Sequence, residues 1–503
     1  QEGYWDTYPA ATSRSYPEWE NWTARRGIRG VTFGDERLRK VIARQRDLEQ
    51  RMQDVERWIL QEVEISGLPR LLLRDAVMDS PHRFRFVEEL LAARYPQELA
   101  RAYRVIQRVR NLAYQEDPRW ASRHPSYGSC AYFDLQGLAY LELAERLADR
   151  IWEQLKDDAH RWPEVKIRDW DLDGEDEVVV RTGHQEVVIH VRRGQVIFQH
   201  AIGEKQGLAE LLEYLEKEML SPVTYSEVLA LSHSLIFTET DSELREEFYP
   251  EGGRVERCRN SMGVSFAALK DGKWVPLEQE SSGYRLLSTE TQGDEAVISL
   301  EQLVRLPNGE APLSFRVGKR FRISDKSMAM TIEVQVIDGK LQEPVCLVPE
   351  LVTSVVPSDE RELQPSSWLG IEGEGDEVVY EVVRPGTRED SDRSEVSLMP
   401  HPRRLAYVCE NINGRGSTFR NSLFWELDPG SQIKQVVIEP AVKSYYRGYV
   451  FPTHSELGYD ASGLLIRPYI EISEGQASFQ VEFSWQLGGG PRRDEYRHVL
   501  HLL

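Results

Sequence analysis

From Asp35 to Val63 the apolar residues Leu38, Val41, Ile42, Leu48, Met52, Val55, Trp58 and Ile59 recur at spacings of three and four among charged side chains. That spacing gathers them on one stripe of an amphipathic helix. Leu71 to Met78, Arg83 to Arg94, Gln97 to Tyr114 and Leu135 to Lys156 keep the same period, interrupted at Ser80-Pro81, Tyr95-Pro96 and Asp117-Pro118, where proline breaks a helix. The pattern predicts a helical bundle over residues 31–160, behind an aromatic-rich segment, residues 1–30.

After Val165 the period changes to two. In Met328 to Val336 apolar and polar residues alternate, and Phe479, Val481, Phe483 and Trp485 alternate with Gln480, Glu482, Ser484 and Gln486, so one face of each strand must be buried. Turn residues at Pro307-Asn308-Gly309 and Asp338-Gly339 separate many short strands, and a large antiparallel β-sandwich is expected over residues 165–503. Gly207 to Met219 reads as a short helix within that half, and Glu372 to Glu377 and Arg384 to Ser394 read as polar surface loops. No internal repeat is found. The expected fold class is therefore α+β, an N-terminal helical bundle followed by a large antiparallel β-sandwich.

Composition narrows the partners. The 503 residues, 40% of them hydrophobic, suffice for about two to four domains with sizeable cores. A formal charge of −21 and a pI near 5.1 argue against nucleic acid or an anionic membrane surface, either of which needs a basic footprint. Cys130, Cys258, Cys346 and Cys409 form no CxxC pair, and buried thiols are the expectation. No run approaches about 18 uninterrupted apolar residues, and Gln1 to Trp5 carries no basic-then-apolar leader. A cytoplasmic protein is expected, with a segment ahead of Gln1 left open because the chain does not begin with Met.

One short stretch concentrates the candidate chemistry. Asp169-Trp170-Asp171-Leu172-Asp173-Gly174-Glu175-Asp176-Glu177 places acids at alternating positions around a glycine, just before Val178-Val179-Val180. Hard cations take converging oxygen ligands from such a segment, and calcium suits it better than magnesium, which prefers a rigid octahedron with retained waters. Asp169, Asp171 and Asp173 would supply carboxylates, Glu175 its backbone carbonyl, and Glu177 the closing ligand. The spacing opens like an EF-hand but lacks that motif's glutamate at position twelve. The alternative is a solvated acidic turn between domains.

Four segments resemble the C-terminal two-thirds of family-57 glycoside hydrolases of the 4-α-glucanotransferase and α-amylase type. Ser15-Tyr16-Pro17-Glu18, with Trp22 beyond, is similar to the family segment that closes the catalytic barrel, and Arg26-Gly27-Ile28 to the stretch that follows it. Cys130-Ala131-Tyr132-Phe133 resembles a Cys-containing aromatic motif of the helical region. The Asp169 to Val180 run resembles the entry to the family's β-domain. Thr453-His454-Ser455-Glu456-Leu457-Gly458-Tyr459-Asp460, with Gly463, resembles a Ser-x-Ser-Glu-x-Gly-aromatic-Asp signature near the family's C-terminus.

The resemblance implies an accessory part of a retaining α-glucan hydrolase or glucanotransferase, needing no organic cofactor. Its partners would be an α-glucan and a catalytic barrel, in the same or another chain. Tyr16, Glu18, Trp22, Tyr132 and Phe133 would contact substrate, since a flat ring matches the apolar face of a pyranose. The family's barrel, with its nucleophile and acid/base, and its His-x-His-Gln-Pro motif have no counterpart here, so no catalytic residue carries over. In the helical motif the family's Asn-Asp pair and His are replaced, which favours the alternative of a non-catalytic glucan-binding or scaffold protein. Glu18, Glu456 and Asp460 are equally readable as structural carboxylates. Neither a Gly-x-Ser-x-Gly elbow nor an HExxH pair occurs. Gly370, Gly373 and Gly375 are interleaved with acids that would repel phosphate.

Overall fold

The computed structural model describes helical residues 36–61, 83–94 and parts of 97–106 and 144–155. With short interruptions it also describes 162–201, 262–354, 366–382, 396–412, 418–447, 456–487 and 498–502. Among these residues strands form three sheets. The first is a four-stranded meander of β1 (Glu164–Arg168), β2 (Glu177–Arg181), β3 (Gln185–His190) and β4 (Gln195–Ala201).

The second, six-stranded, runs in the order β15 (Val396–Leu398), β18 (Ile433–Arg447), β19 (Glu456–Glu471), β12 (Val345–Ser354), β5 (Gly263–Lys270) and β6 (Lys273–Pro276). The third has eleven strands: β21 (His498–Leu502), β14 (Val378–Val382), β13 (Ser366–Glu372), β16 (Arg404–Ile412), β17 (Thr418–Leu427), β20 (Gln476–Leu487), β11 (Ser327–Asp338), β10 (Leu313–Ile323), β9 (Glu295–Leu306) and β7 (Glu280–Ser281). Its last member, β8 (Arg285–Gln292), also pairs with β9. Pairing is antiparallel except between β14 and β21.

Alternation in sequence sets which face goes inward. In β10, Leu313, Phe315, Val317, Phe321 and Ile323 are buried while Arg316, Arg320 and Arg322 face water. Against them pack Phe266, Leu347, Leu351, Ile438, Ile466 and Ile470 of the six-stranded sheet, all in one hydrophobic core. Phe266 stacks on Phe315 across the sheet interface, ring centres 4.9 Å apart, as expected of a sandwich whose inner faces interdigitate.

The four-stranded sheet joins the same core through Val178, Val180, Val187 and Ile189. Its strands β2 and β3 are buried at every position, because both of their faces are covered. Gln185 holds the sheet in register with the β10–β11 turn. Its amide donates to the Ser327 carbonyl at 3.0 Å and to that of Ser324, and its oxygen accepts from Gln199 at 2.9 Å.

The expected α+β architecture, with an N-terminal helical bundle ahead of the sandwich, is corrected here. Among the described residues the chain is mostly sheet, and no N-terminal helical bundle is evident. Among the described residues the continuous helices are α1 (Glu36–Gln61) and α2 (Arg83–Arg94). Spacing of three and four defines the dry stripe of a helix but not what that stripe meets. Helical residues touch one another, as at Trp58 against Trp152, but they also dock on the four-stranded sheet. Arg181 of β2 reaches Asp149 at 3.5 Å and Glu145 at 3.7 Å. The helical segment carrying Glu145 and Asp149 thus packs on the four-stranded sheet as well as on α1.

Candidate functional site

The acidic run is the turn of the β1–β2 hairpin, with Arg168 opposite Glu177 in register. Gly174 takes φ +98°, a backbone region that costs glycine nothing. The Trp170 ring is fully buried beneath the turn. Glu177, also buried, accepts the Trp170 backbone N–H at 2.6 Å, and Asp169 accepts the Gly174 N–H at 3.2 Å. Glu175 turns away to Arg192 of the β3–β4 turn at 2.5 Å and to His190 at 3.4 Å.

Asp169, Glu175 and Glu177 therefore serve different partners, and Asp176 is exposed. Among the described residues no group of three or more His, Cys, Asp or Glu side chains is arranged to hold a metal ion. Asp171 and Asp173 lie outside the described residues, as do Tyr16, Glu18, Trp22, Tyr132, Phe133 and the helix expected over Gly207 to Met219. Glu456 to Asp460 open β19, paired with Lys443 to Arg447 of β18.

Behind the turn, on the face of β2 and β3 that meets the helices, charges are buried together. Arg181 donates to Glu186 at 2.8 Å, and Arg44 of α1 grips Glu145 through two bonds of 3.1 Å. Arg51 binds Asp149 at 3.0 Å. Desolvation pushes Glu145 up to about 7, against the lowering fields of Arg168 and Arg51, with Glu186 adding to the rise. Burial likewise raises Asp149, opposed by Arg51 and aided by Glu145. Carboxyls shifted this way occur at active sites and also in structural networks. Here bidentate guanidinium pairing joins α1 to the helical segment carrying Glu145, and Arg181 ties that segment to the sheet.

A second buried charge lies where the three sheets meet. Lys319 occupies an inward position of β10 and donates to the backbone carbonyls of Gly194 at 2.7 Å and Met262 at 2.5 Å. Burial lowers its ammonium to about 7, with the Glu350 carboxylate opposing the shift. Burial also raises the Tyr284 phenol well above its ordinary range. The sequence signal for this node was present: Lys319 interrupts an otherwise apolar inward series.

The outward face of the eleven-stranded sheet is polar. Arg322 forks onto Glu295 at 2.9–3.1 Å, and Glu301 takes Arg285 at 2.7 Å. Glu426 and Glu482, both exposed, stand directly opposite each other on β17 and β20. Residues so placed have Cβ atoms about 4.5–5.5 Å apart, and like charges there repel. Arg404 stands 3.6 Å from Glu426 and lies over the Phe424 ring. Both carboxylates are exposed, so the pair lacks the apolar enclosure that keeps one acid of a catalytic pair protonated. Sequence alternation shows that both residues face outward; it does not give their register.

No family model matches the chain, and no curated protein matches it. Among solved structures it is similar to 4-α-glucanotransferase from Thermococcus litoralis, with 12% identity, a TM-score of 0.36 and coverage of 82% of this chain. The chain spans about half, 55%, of that protein's length. It is also similar to galactose 1-epimerase from Lactobacillus acidophilus NCFM, with 10% identity, a TM-score of 0.30, and coverage of 65% of this chain and 100% of that one. A galactose mutarotase-like protein from Lactobacillus casei ATCC 334 matches with 10% identity, a TM-score of 0.28, and coverage of 62% and 99%. No helix among the described residues is long and apolar enough to cross a membrane.

Proposed function

We propose that this chain is an accessory part of an α-glucan-acting assembly of the 4-α-glucanotransferase type, supporting a catalytic barrel that its sequence does not contain. One observation carries the reading: four segments, from Ser15-Tyr16-Pro17-Glu18 to the Thr453–Asp460 stretch, occur in the family's order along nearly the whole chain. The packing is consistent with support. Asp169, Glu175 and Glu177 of the β1–β2 turn and Glu145, Asp149 and Glu186 of the helix–sheet contact are engaged with backbone N–H groups or guanidinium groups, which leaves them to hold structure.

A non-catalytic glucan-binding protein is the second reading, favoured by the Cys130-Ala131-Tyr132-Phe133 segment, which lacks the Asn-Asp pair and His of the family motif. Both readings predict retention of the chain on insoluble amylose and its release by soluble malto-oligosaccharide. Only the first predicts a stable complex with a separately supplied family-57 barrel, seen by size-exclusion chromatography. A chain that passes amylose unretarded and associates with no barrel contradicts both.

A further inference from the structure

The outer face of the six-stranded sheet, turned away from the shared core, carries an aromatic shelf. Tyr469 of β19 is separated by alternation from the core residues Ile466 and Ile470 and belongs to a distinct apolar cluster with Ala267, Cys346, Val348 and Val437. Half-buried Trp274 of β6 packs on this cluster and stacks on Tyr469, with centroids 5.8 Å apart and planes 28° apart. Leu269, directly across the ladder from Trp274, is 37% exposed and extends the shelf. An indole held this way is fixed from below by packing and keeps part of its surface in water.

The rim is polar and self-neutralised. Glu471, register partner of Cys346, pairs with Lys434 at 2.6 Å, and Gln435 stands opposite Tyr469. Flat aromatic surface with an amide and a compensated ion pair beside it suits a ligand with both apolar faces and hydroxyl edges. The chain's net charge of −21 disfavours a polyanion, and a neutral polysaccharide offers the apolar ring faces and hydroxyl edges that this surface matches.

We infer that the Trp274–Tyr469 shelf is a binding site for a neutral α-1,4-glucan, with Trp274 stacking on a glucosyl ring and Gln435 and Glu471 meeting its hydroxyls. The inference rests on the α-glucan reading and adds a place to it. Its probe is maltoheptaose, followed by titration calorimetry and by hydroxyl-radical footprinting of the full chain read peptide by peptide.

Bound maltoheptaose should protect Trp274 from oxidation, and Trp274→Ala should weaken binding roughly tenfold, with Trp274→Phe recovering part of it. Because footprinting needs no substitution, a Trp274→Ala chain that fails to fold does not stop the test. Heat of binding without protection of Trp274 overturns the shelf while the α-glucan reading stands. No binding at all overturns both. A changed oligomeric state in Trp274→Phe with unaltered glucan affinity also overturns the shelf, since it assigns this face to protein contact.

Discussion

The ammonium of Lys319 lies 4.6 Å from the centre of the Tyr284 ring, inside the core, while its protons reach backbone carbonyls just ahead of β4 and β5, strands belonging to two other sheets. One side chain of β10 thereby links the β3–β4 turn to the entry of β5. Removing it leaves two carbonyls without their donor and a cavity besides. Lys319→Ala is expected to lose about 3 kcal/mol of unfolding free energy. Lys319→Met should lose less, because it keeps the aliphatic stem and relieves a buried charge. Urea unfolding at pH 7.5 measures both.

The same lysine and Glu145 give stability an unusual pH profile. Between its ordinary value of 10.5 and about 7, Lys319 is protonated in the unfolded chain and neutral in the folded one, so stability rises with pH across that window. Glu145, raised from 4.5 to about 7, keeps its proton only in the folded chain, so stability falls as pH climbs from 4.5 to 7. These two groups together place a minimum near pH 7. Urea midpoints from pH 5 to 9.5 should show it, with Glu145→Gln flattening the acid limb and Lys319→Met the alkaline limb.

Arg181 is the other buried cation. It stands 6% exposed among Glu186, Glu145 and Asp149. Arg181→Met removes the countercharge from the fully buried Glu186 carboxylate, and a loss of about 3–5 kcal/mol is expected. The helical layer should loosen before the sandwich does. Hydrogen exchange would report this as faster exchange of residues 144–155 than of β10 and β11.

Gly194 and Gly272 both take positive φ, +59° and +76°, yet they should respond differently to alanine. A Cβ on Gly194 would lie 2.5 Å from the Tyr284 ring, whereas one on Gly272 meets nothing within 4 Å. Gly194→Ala should cost about 2–4 kcal/mol through overpacking and backbone strain, and Gly272→Ala about 1 kcal/mol through strain alone. Equal thermal shifts in the two variants would contradict this packing.

Much of the sandwich was legible in the sequence. The alternation in Met328 to Val336 and Phe479 to Trp485 belongs to β11 and β20, and the stripe from Leu38 to Ile59 to α1, because period alone fixes an element and its buried face. What each face packs against was not legible. The helical stripes suggested a bundle, whereas Arg44, Glu145 and Arg181 join one helical segment both to α1 and to a sheet. In the Asp169–Glu177 run, spacing suggested converging ligands. Among the described residues Asp169 and Glu177 meet backbone N–H groups and the Glu175 side chain meets Arg192, while Asp171 and Asp173 lie outside the described residues. Trp274 and Tyr469 lie far apart in the chain, and only strand order brings them together.

On the proposed reading the chain binds α-glucan without cleaving it. Incubating the 503-residue protein with maltoheptaose and resolving the products by chain length tests that directly. Retention of the original length without new oligosaccharides is the predicted result. Shorter or redistributed chains, abolished by Glu426→Gln or Glu482→Gln, would mean that the opposed carboxylates of β17 and β20 form a reactive centre of the protein's own.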